Sequence, residues 1–281
     1  MPGRGLRPPP PVSADAWFEA NRRRWDERVP IHYRSSFYDV AGFLAGASSL
    51  EPHELAEVGD VGGKSLLHLQ CHFGLDTLSW ARLGARVTGL DFSGEGIRAA
   101  RELAAEADIS AEFVEANLYD APAALAGRAF DIVYTGKGAL IWLPDLDRWA
   151  EVVAGLLAPG GLCYVLDMHP VGYLFDEREP VLDPCFRYFS VPEPRRWDEP
   201  GSYADPDAAT RYNESYEWSY TIGSVVTAIA RAGLVVEFLH EFDHTVYRAF
   251  PFMRREGRVW KLPAGSADLP LMFSIRARKP V

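Results

Sequence analysis

The sequence predicts an α/β domain: an open, mostly parallel sheet with helices on both faces. Three observations carry that prediction. Short apolar runs alternate with amphipathic ones from Gly63 to Met168, the second apolar run ends on an acidic residue, Asp91, and the last two runs are joined without a crossover helix.

Taken in order, Ser13 can cap a helix through about Trp25, with Trp17 and Phe18 on its apolar side. Residues 31–50, carrying Tyr33, Phe37, Tyr38 and Phe43, read as a second helical element beside the sheet. Residues 65–70 form the first strand, and 76–83 a helix ended by Gly84, a usual residue just past a helix. Residues 86–91 are the second strand, after which Ser93 caps a helix to about Ala107. Residues 111–116 and 129–135 supply the third and fourth strands. A helix over 146–157 stops at Pro159-Gly160, and 162–168 is the fifth strand. Residues 170–220 break the alternation with recurring prolines and aromatics, the pattern of a lid or binding insertion. A helix over 221–232 and strands over 234–242 and 271–277 follow, the last strand antiparallel because its loop is too short for a crossover helix.

A chain of 281 residues with 48% hydrophobic content can bury one large core, or a core plus a cap. Its net charge of −10 argues against a protein that tracks nucleic-acid phosphates, and the Arg22-Arg23-Arg24 run reads as a solvated helix face. No apolar run is long enough to cross a bilayer, and the proline-rich opening lacks the apolar core of a secretory leader. Cys71, Cys163 and Cys185 are an odd count without framework spacing, as expected in a reducing cytoplasm.

Ligands of open parallel sheets bind at the carboxyl ends of the strands. Asp91 sits at such an end, where a carboxylate accepts the hydroxyl protons of a ribose. Ser93 is expected to take the role of helix cap, leaving Asp91 for the sugar. The run His240-Glu241-Phe242-Asp243-His244 spells a zinc-peptidase motif, but that chemistry needs both histidines on one helical face. In a strand they stand about 13 Å apart, and His68, Cys71 and His72 are also poorly spaced for zinc, so no metal is expected.

Leu-His-Leu-Gln-Cys-His-Phe-Gly over 67–74, Val-Thr-Gly-Leu-Asp-Phe-Ser over 87–93 and Leu-Leu-Ala-Pro-Gly-Gly before the fifth strand resemble the class I S-adenosylmethionine-dependent methyltransferases of small molecules, of the actinobacterial type. The likeness spans residues 61–168 well and the closing hairpin 234–279 fairly. It departs where the family has an acidic residue and then Gly-x-Gly-x-Gly: here His68, Gln70, His72 and Gly74 stand, and only the last glycine survives. Asn117 replaces an acidic residue after the third strand and keeps an amide oxygen as acceptor.

The resemblance implies a Rossmann-like seven-stranded sheet, S-adenosyl-L-methionine as cofactor, and a small-molecule acceptor, possibly aromatic, methylated on N, O or C. It divides the chain into a disordered tail (1–13), a helical lid (14–60), a cofactor-binding core (61–169), a substrate cap (170–220) and a completing segment (221–281). Gln70, Cys71, His72, Gly74, Asp76 and Thr77 would meet the methionine end. Asp91 would hold the ribose, Phe92 and Ser93 would flank the adenine, Asn117 and Leu118 would bound its edge, and Thr135 would lie under the sulfonium. Tyr33 and Tyr38 would belong to the lid. Lys137, Trp142, Tyr173 and Trp218 are expected substrate contacts, and His169 and His240 expected general bases, because imidazole titrates near neutrality. No nucleic-acid or membrane partner is expected, and the protein is read as a monomer or homodimer. The competing readings are a nicotinamide-dependent oxidoreductase, disfavoured by the missing G-x-G-x-x-G, and an inactive binding protein on the same fold.

Overall fold

The computed structural model describes residues 14–281, so the expected tail and the Ser13 cap lie outside the described residues. Helix α1 (Ala14–Arg34) is longer than its sequence suggests: it passes Trp25 and Pro30 without breaking. Tertiary bonds explain the extension. Asn21 exchanges two hydrogen bonds with the backbone of Tyr216, each 2.8 Å, and Arg24 and Arg28 donate to the carbonyls of Asn213, Tyr212 and Glu199. Arg24 is therefore a structural clamp rather than part of a solvated face; Arg22 and Arg23 do pair on the surface, with Glu19.

Two short helices follow, α2 (Val40–Leu44) and α3 (Pro52–Val58). The core then runs β1 (Ser65–Leu69), α4 (Leu75–Arg82), β2 (Arg86–Asp91), α5 (Gly94–Glu106), β3 (Glu112–Glu115), α6 (Ala121–Ala124), β4 (Phe130–Gly136), α7 (Leu146–Leu156) and β5 (Leu157–Met168). Strand β5 starts directly after α7, earlier than expected. Leu157 pairs with Phe130, and the register then shifts so that Ile132 meets Leu162, which bulges Pro159 and Gly160 out of the ladder. The insertion is not featureless: β6 (Arg195–Asp198) and β7 (Glu214–Glu217) pair antiparallel. After α8 (Ile222–Arg231) and β8 (Val235–Phe242), the loop before the last strand holds a small sheet of β9 (His244–Thr245), β10 (Arg254–Glu256) and β11 (Val259–Lys261) that the sequence did not reveal. Strand β12 (Met272–Arg278) closes the chain.

The main sheet has the order β3-β2-β1-β4-β5-β12-β8, parallel except for β12, which is antiparallel to both of its neighbours. Strand alternation gives it two apolar faces. Leu66, Ile132, Tyr134, Tyr164 and Leu166 pack with Trp80, Val58 and Val61, whereas Leu67, Leu69, Val133 and Val165 pack with Trp149, Val153 and Ile229. A third cluster joins Cys71, Phe73 and Phe113 to Ile97 of α5 and to Val29 of α1. This last contact draws α1 over the carboxyl ends of β1 and β2.

Candidate active site

The carboxyl ends of β1, β2 and β3 are stitched together by backbone groups. Cys71 N donates to Leu90 O at 3.0 Å, and Ala116 N donates to Asp91 O at 2.9 Å. The Asp91 carboxylate completes the seam, accepting from His72 N (2.8 Å, Oδ2) and Ser93 N (2.9 Å, Oδ1). A carboxylate has about four acceptor positions, so two remain, the number a vicinal diol requires. Burial raises the Asp91 carboxyl to about 6, with the two amides opposing the shift and the charge of nearby Asp26 adding to it.

The turn after β1 keeps the backbone of a glycine-rich loop without the glycines. Gln70, His72 and Gly74 have φ of 57°, 52° and 79°, all left-handed. For Gln70 and His72 that conformation costs about 1–2 kcal/mol per residue, tolerated where the surroundings enforce it. The His72 ring is drawn away into an aromatic cluster with Trp25, Tyr38 and Phe73. Its Nε2 lies 2.8 Å from His32 Nδ1, and His32 Nε2 lies 2.6 Å from Ser202 Oγ in the insertion. Burial lowers both imidazoles well below their usual range, His32 to about 3, so the pair is neutral. Gln70 donates through Nε2 to Ala139 O at 2.9 Å, and its Oε1 is buried without a partner. That orphaned acceptor, at the end of β1, is suited to an ammonium group.

Several residues expected to touch a cofactor are engaged elsewhere. Gly74 N closes the turn on Cys71 O (2.8 Å), and a Cβ at Gly74 would stand 2.7 Å from the Phe113 ring, so this glycine serves the turn and the packing of α4 and α5 on β3. The Cys71 thiol is buried against Gly89, where a Cβ would approach its Sγ to 2.8 Å. Thr77 Oγ1 bonds His68 Nδ1 at 2.8 Å inside the core. Ser93 caps α5 through Gly96 N and donates to Asp26 Oδ1 at 2.6 Å, tying α1 to the site. Asp76 is paired with Lys137 at 2.9 Å. Asn117 spends its amide oxygen on Tyr119 N (3.0 Å), capping the turn Leu118–Asp120. Phe92 is half-buried beside Asp91, Leu118 is buried, and Thr135 is buried at the end of β4 opposite Leu69 and Val165. Tyr33 and Tyr38 both lie against Phe73, with ring centroids at 5.6 and 4.8 Å.

Lys137, expected at the substrate, is engaged within the protein. Its ammonium has three protons, and all are taken: by Glu54 (3.0 Å), Asp76 (2.9 Å) and Ser49 O (3.1 Å). Trp142 is edge-on to Trp25 at 5.3 Å, and Trp218 is buried against Trp17 at 5.6 Å, packing beneath α1. Tyr173 is half-buried at the start of the insertion, within range of the charges of Asp167, Glu177 and Glu217.

The two histidines expected as bases are placed differently. His240 lies on the half-exposed surface of β8, bonded to Glu57 at 2.7 Å and stacked on Phe238, and the structure does not bring it to the crevice. The His240–His244 run is extended, split between β8 and β9, as its apolar context predicted. His169 does follow β5, but both ring nitrogens are engaged. Nδ1 accepts from Val171 N at 3.1 Å, and Nε2 is within ion-pair distance of Glu241 (2.9 Å), although off the line of a hydrogen bond. His169 therefore locks the turn after β5. Replacing it by alanine should cost about 1–3 kcal/mol in urea unfolding and leave cofactor affinity unchanged. A stable variant with weakened cofactor binding would return His169 to the site.

Sequence reasoning missed Asp167, the last residue but one of β5, which accepts from the backbone N–H groups of Gly138, Ala139, Leu140 and Met168. Burial raises it to about 6 despite these four amides. It fixes the loop after β4, including Ala139, the acceptor for Gln70. Its signal was an acid at the end of an otherwise apolar strand, the same signal that identified Asp91. Trp25, Asp26 and His32 were missed because α1 was expected to end early.

A seven-stranded sheet of this order, with a buried acid ending β2 and a tight turn ending β1, is the class I methyltransferase fold. A family described as "Methyltransferase domain" matches residues 66–161. The chain is 33% identical over 133 residues to a ubiquinone biosynthesis O-methyltransferase from Psychrobacter cryohalolentis, covering 46% of this chain and 51% of that protein. It is 31% identical over 150 residues to an Escherichia coli protein of the same name, covering 52% and 57%. The chain thus spans about half the length of the curated relatives it matches. Among solved structures, an S-adenosylmethionine-dependent methyltransferase from Mesorhizobium loti superposes with a TM-score of 0.58 at 23% identity, covering 84% of this chain and all of that one. One from Listeria monocytogenes gives 0.56 at 19%, covering 82% and 97%. Residues 66–161 therefore match a methyltransferase domain, and the chain has the fold of the S-adenosylmethionine-dependent methyltransferases on which it superposes.

Proposed function

We propose that this protein methylates a small organic acceptor using S-adenosylmethionine, and that α1 and the 170–220 insertion enclose the acceptor. The observation that carries the reading is Asp91: a buried carboxylate at the β2 end with two acceptor positions still open. Gln70 Oε1 supports it as an unpaired acceptor for the methionine ammonium, so the residues present fit the group. When bound, that cofactor supplies an electrophilic methyl on a cationic sulfur. The chain's own task is alignment and exclusion of water, for which Trp25, Tyr38 and Trp142 supply apolar cover. Phe92 and Leu118 are proposed to flank the adenine, and Thr135 to stand beneath the sulfur.

An oxidoreductase is less well served, because Gln70 and His72 carry side chains where a pyrophosphate needs bare backbone. Among the described residues no helix is long and apolar enough to cross a membrane. The free thiols of Cys71, Cys163 and Cys185 fit a reducing cytoplasm. We read the acceptor as a small molecule, with no nucleic-acid or membrane partner, and the protein as a monomer or homodimer.

Calorimetric titration should show S-adenosylhomocysteine binding one to one and NAD not binding; the reverse would transfer the protein to the oxidoreductases. Affinity should also depend on pH with a defined sign. The ionised Asp91 is the hydroxyl acceptor, so affinity is level above about pH 7 and falls below its carboxyl value of about 6. The limiting slope is about tenfold per pH unit. An affinity independent of pH between 5 and 8 would remove Asp91 from the contact.

A further inference from the structure

The loop after β4 is built around one carboxylate. Lys137 and Gly138 both have left-handed backbones, with φ of 57° and 89°. The turn brings three successive N–H groups, those of Gly138, Ala139 and Leu140, onto the Asp167 oxygens at 2.6, 3.2 and 3.0 Å. Successive amides that converge in this way form an anion-binding concavity. Here the anion is a side chain of the protein itself, buried to 2% exposure.

The carbonyl of the same loop has a second task. Ala139 O accepts from Gln70 Nε2 at 2.9 Å. A carboxamide has a donor end and an acceptor end, and a carbonyl can bond only the donor end, so Ala139 O fixes which way the Gln70 amide points. Oε1 is left at the opposite corner, buried and without a hydrogen-bond partner. A buried acceptor without a donor is costly, and a ligand that brings a donor relieves the cost. With Ala139 O displaced, the amide can turn over and present Nε2, whose N–H groups repel an ammonium. The Asp167 carboxylate thus sets a polarity at the end of β1 without lying there itself.

We propose that Asp167 is a positioning residue for the amino group of the cofactor, acting through Ala139 and Gln70. It holds the loop, the loop holds the Gln70 amide, and the amide presents oxygen rather than nitrogen to the ligand. The inference deepens the S-adenosylmethionine reading and rests on it for the ligand.

The test is a set of calorimetric titrations near neutral pH with S-adenosylhomocysteine, with deamino-S-adenosylhomocysteine and with 5′-methylthioadenosine, which lacks the amino-acid end. The wild type should bind S-adenosylhomocysteine at least about tenfold more tightly than its deamino analogue. Gln70→Met and Asp167→Asn should each reduce that preference to within about threefold, and the double variant should lose no more than either single one. Affinity for 5′-methylthioadenosine within about threefold of the wild type shows that a variant is folded. If Asp167→Asn fails that control, Ala139→Pro replaces it: φ is −84° there, close to that of proline, and the substitution removes the N–H that Asp167 receives while keeping the carbonyl. It should lower the preference at least about threefold. A wild type indifferent to the amino group, a preference that survives in Asp167→Asn or its substitute, or a double variant with additive losses overturns the proposal. Absence of S-adenosylhomocysteine and 5′-methylthioadenosine binding to the wild type overturns the cofactor reading, and this inference with it.

Discussion

Asp91→Ala should weaken S-adenosylhomocysteine binding by at least about 100-fold, because two hydrogen bonds to a charged acceptor, worth about 1.5–3 kcal/mol each, are lost together. The same substitution leaves His72 N and Ser93 N without their acceptor, so part of the loss will reach stability. Asp91→Asn separates the two effects. It keeps one oxygen for the backbone and removes the charge, so affinity should fall by an intermediate amount while urea unfolding changes less than in the alanine variant. Calorimetry with both variants checks the series. Wild-type affinity in Asp91→Ala would mean that the end of β2 does not touch the ligand.

Lys137→Met is expected to have the largest effect on folding. Lys137 stands between Glu54 of α3 and Asp76 of α4, with Glu54 fully buried and also accepting from the Tyr134 hydroxyl at 2.5 Å. Removing the cation leaves two desolvated carboxylates facing each other, and breaking a buried pair in this way costs about 3–5 kcal/mol. Neutralising the acids as well, in Lys137→Met with Glu54→Gln and Asp76→Asn, should recover most of that loss, because the cost lies in uncompensated charge rather than in the missing contact. Urea unfolding of the single and triple variants measures both. A single variant as stable as the wild type would show that the network adds nothing to folding, and a triple variant as unstable as the single one would place the cost in packing.

The parts of this molecule legible in its sequence are those with local causes. Strand and helix periods, the Ser93 cap, Gly84 after α4 and the acid ending β2 all act within a few residues of themselves, and each stands near its expected position. The non-local parts were not legible. Helix α1 runs past Trp25 because Asn21, Arg24 and Arg28 bond a segment near the other end of the chain, and nothing in the local pattern announces that partner. Lys137 follows a strand end, the position of a ligand contact, but in the fold Glu54 and Asp76 claim its protons. His169 and His240 have the titration range of a general base, but their roles follow from Glu241 and Glu57, which only the folded sheet places beside them. The lost glycines show the opposite case. The sequence showed only that side chains stand at Gln70 and His72 where the family has glycines, and the backbone there is left-handed all the same, with φ of 57° and 52°.

The central claim is that the Asp91 carboxylate receives the ribose of an adenosyl ligand. A crystal structure of the protein grown with S-adenosylhomocysteine measures this directly. Both ribose hydroxyls should lie about 2.5–2.9 Å from the Asp91 oxygens, with the His72 ring still directed toward Trp25 and His32. A ligand seated elsewhere, or a crevice closed by His72 and Trp25 at saturating ligand, would contradict it.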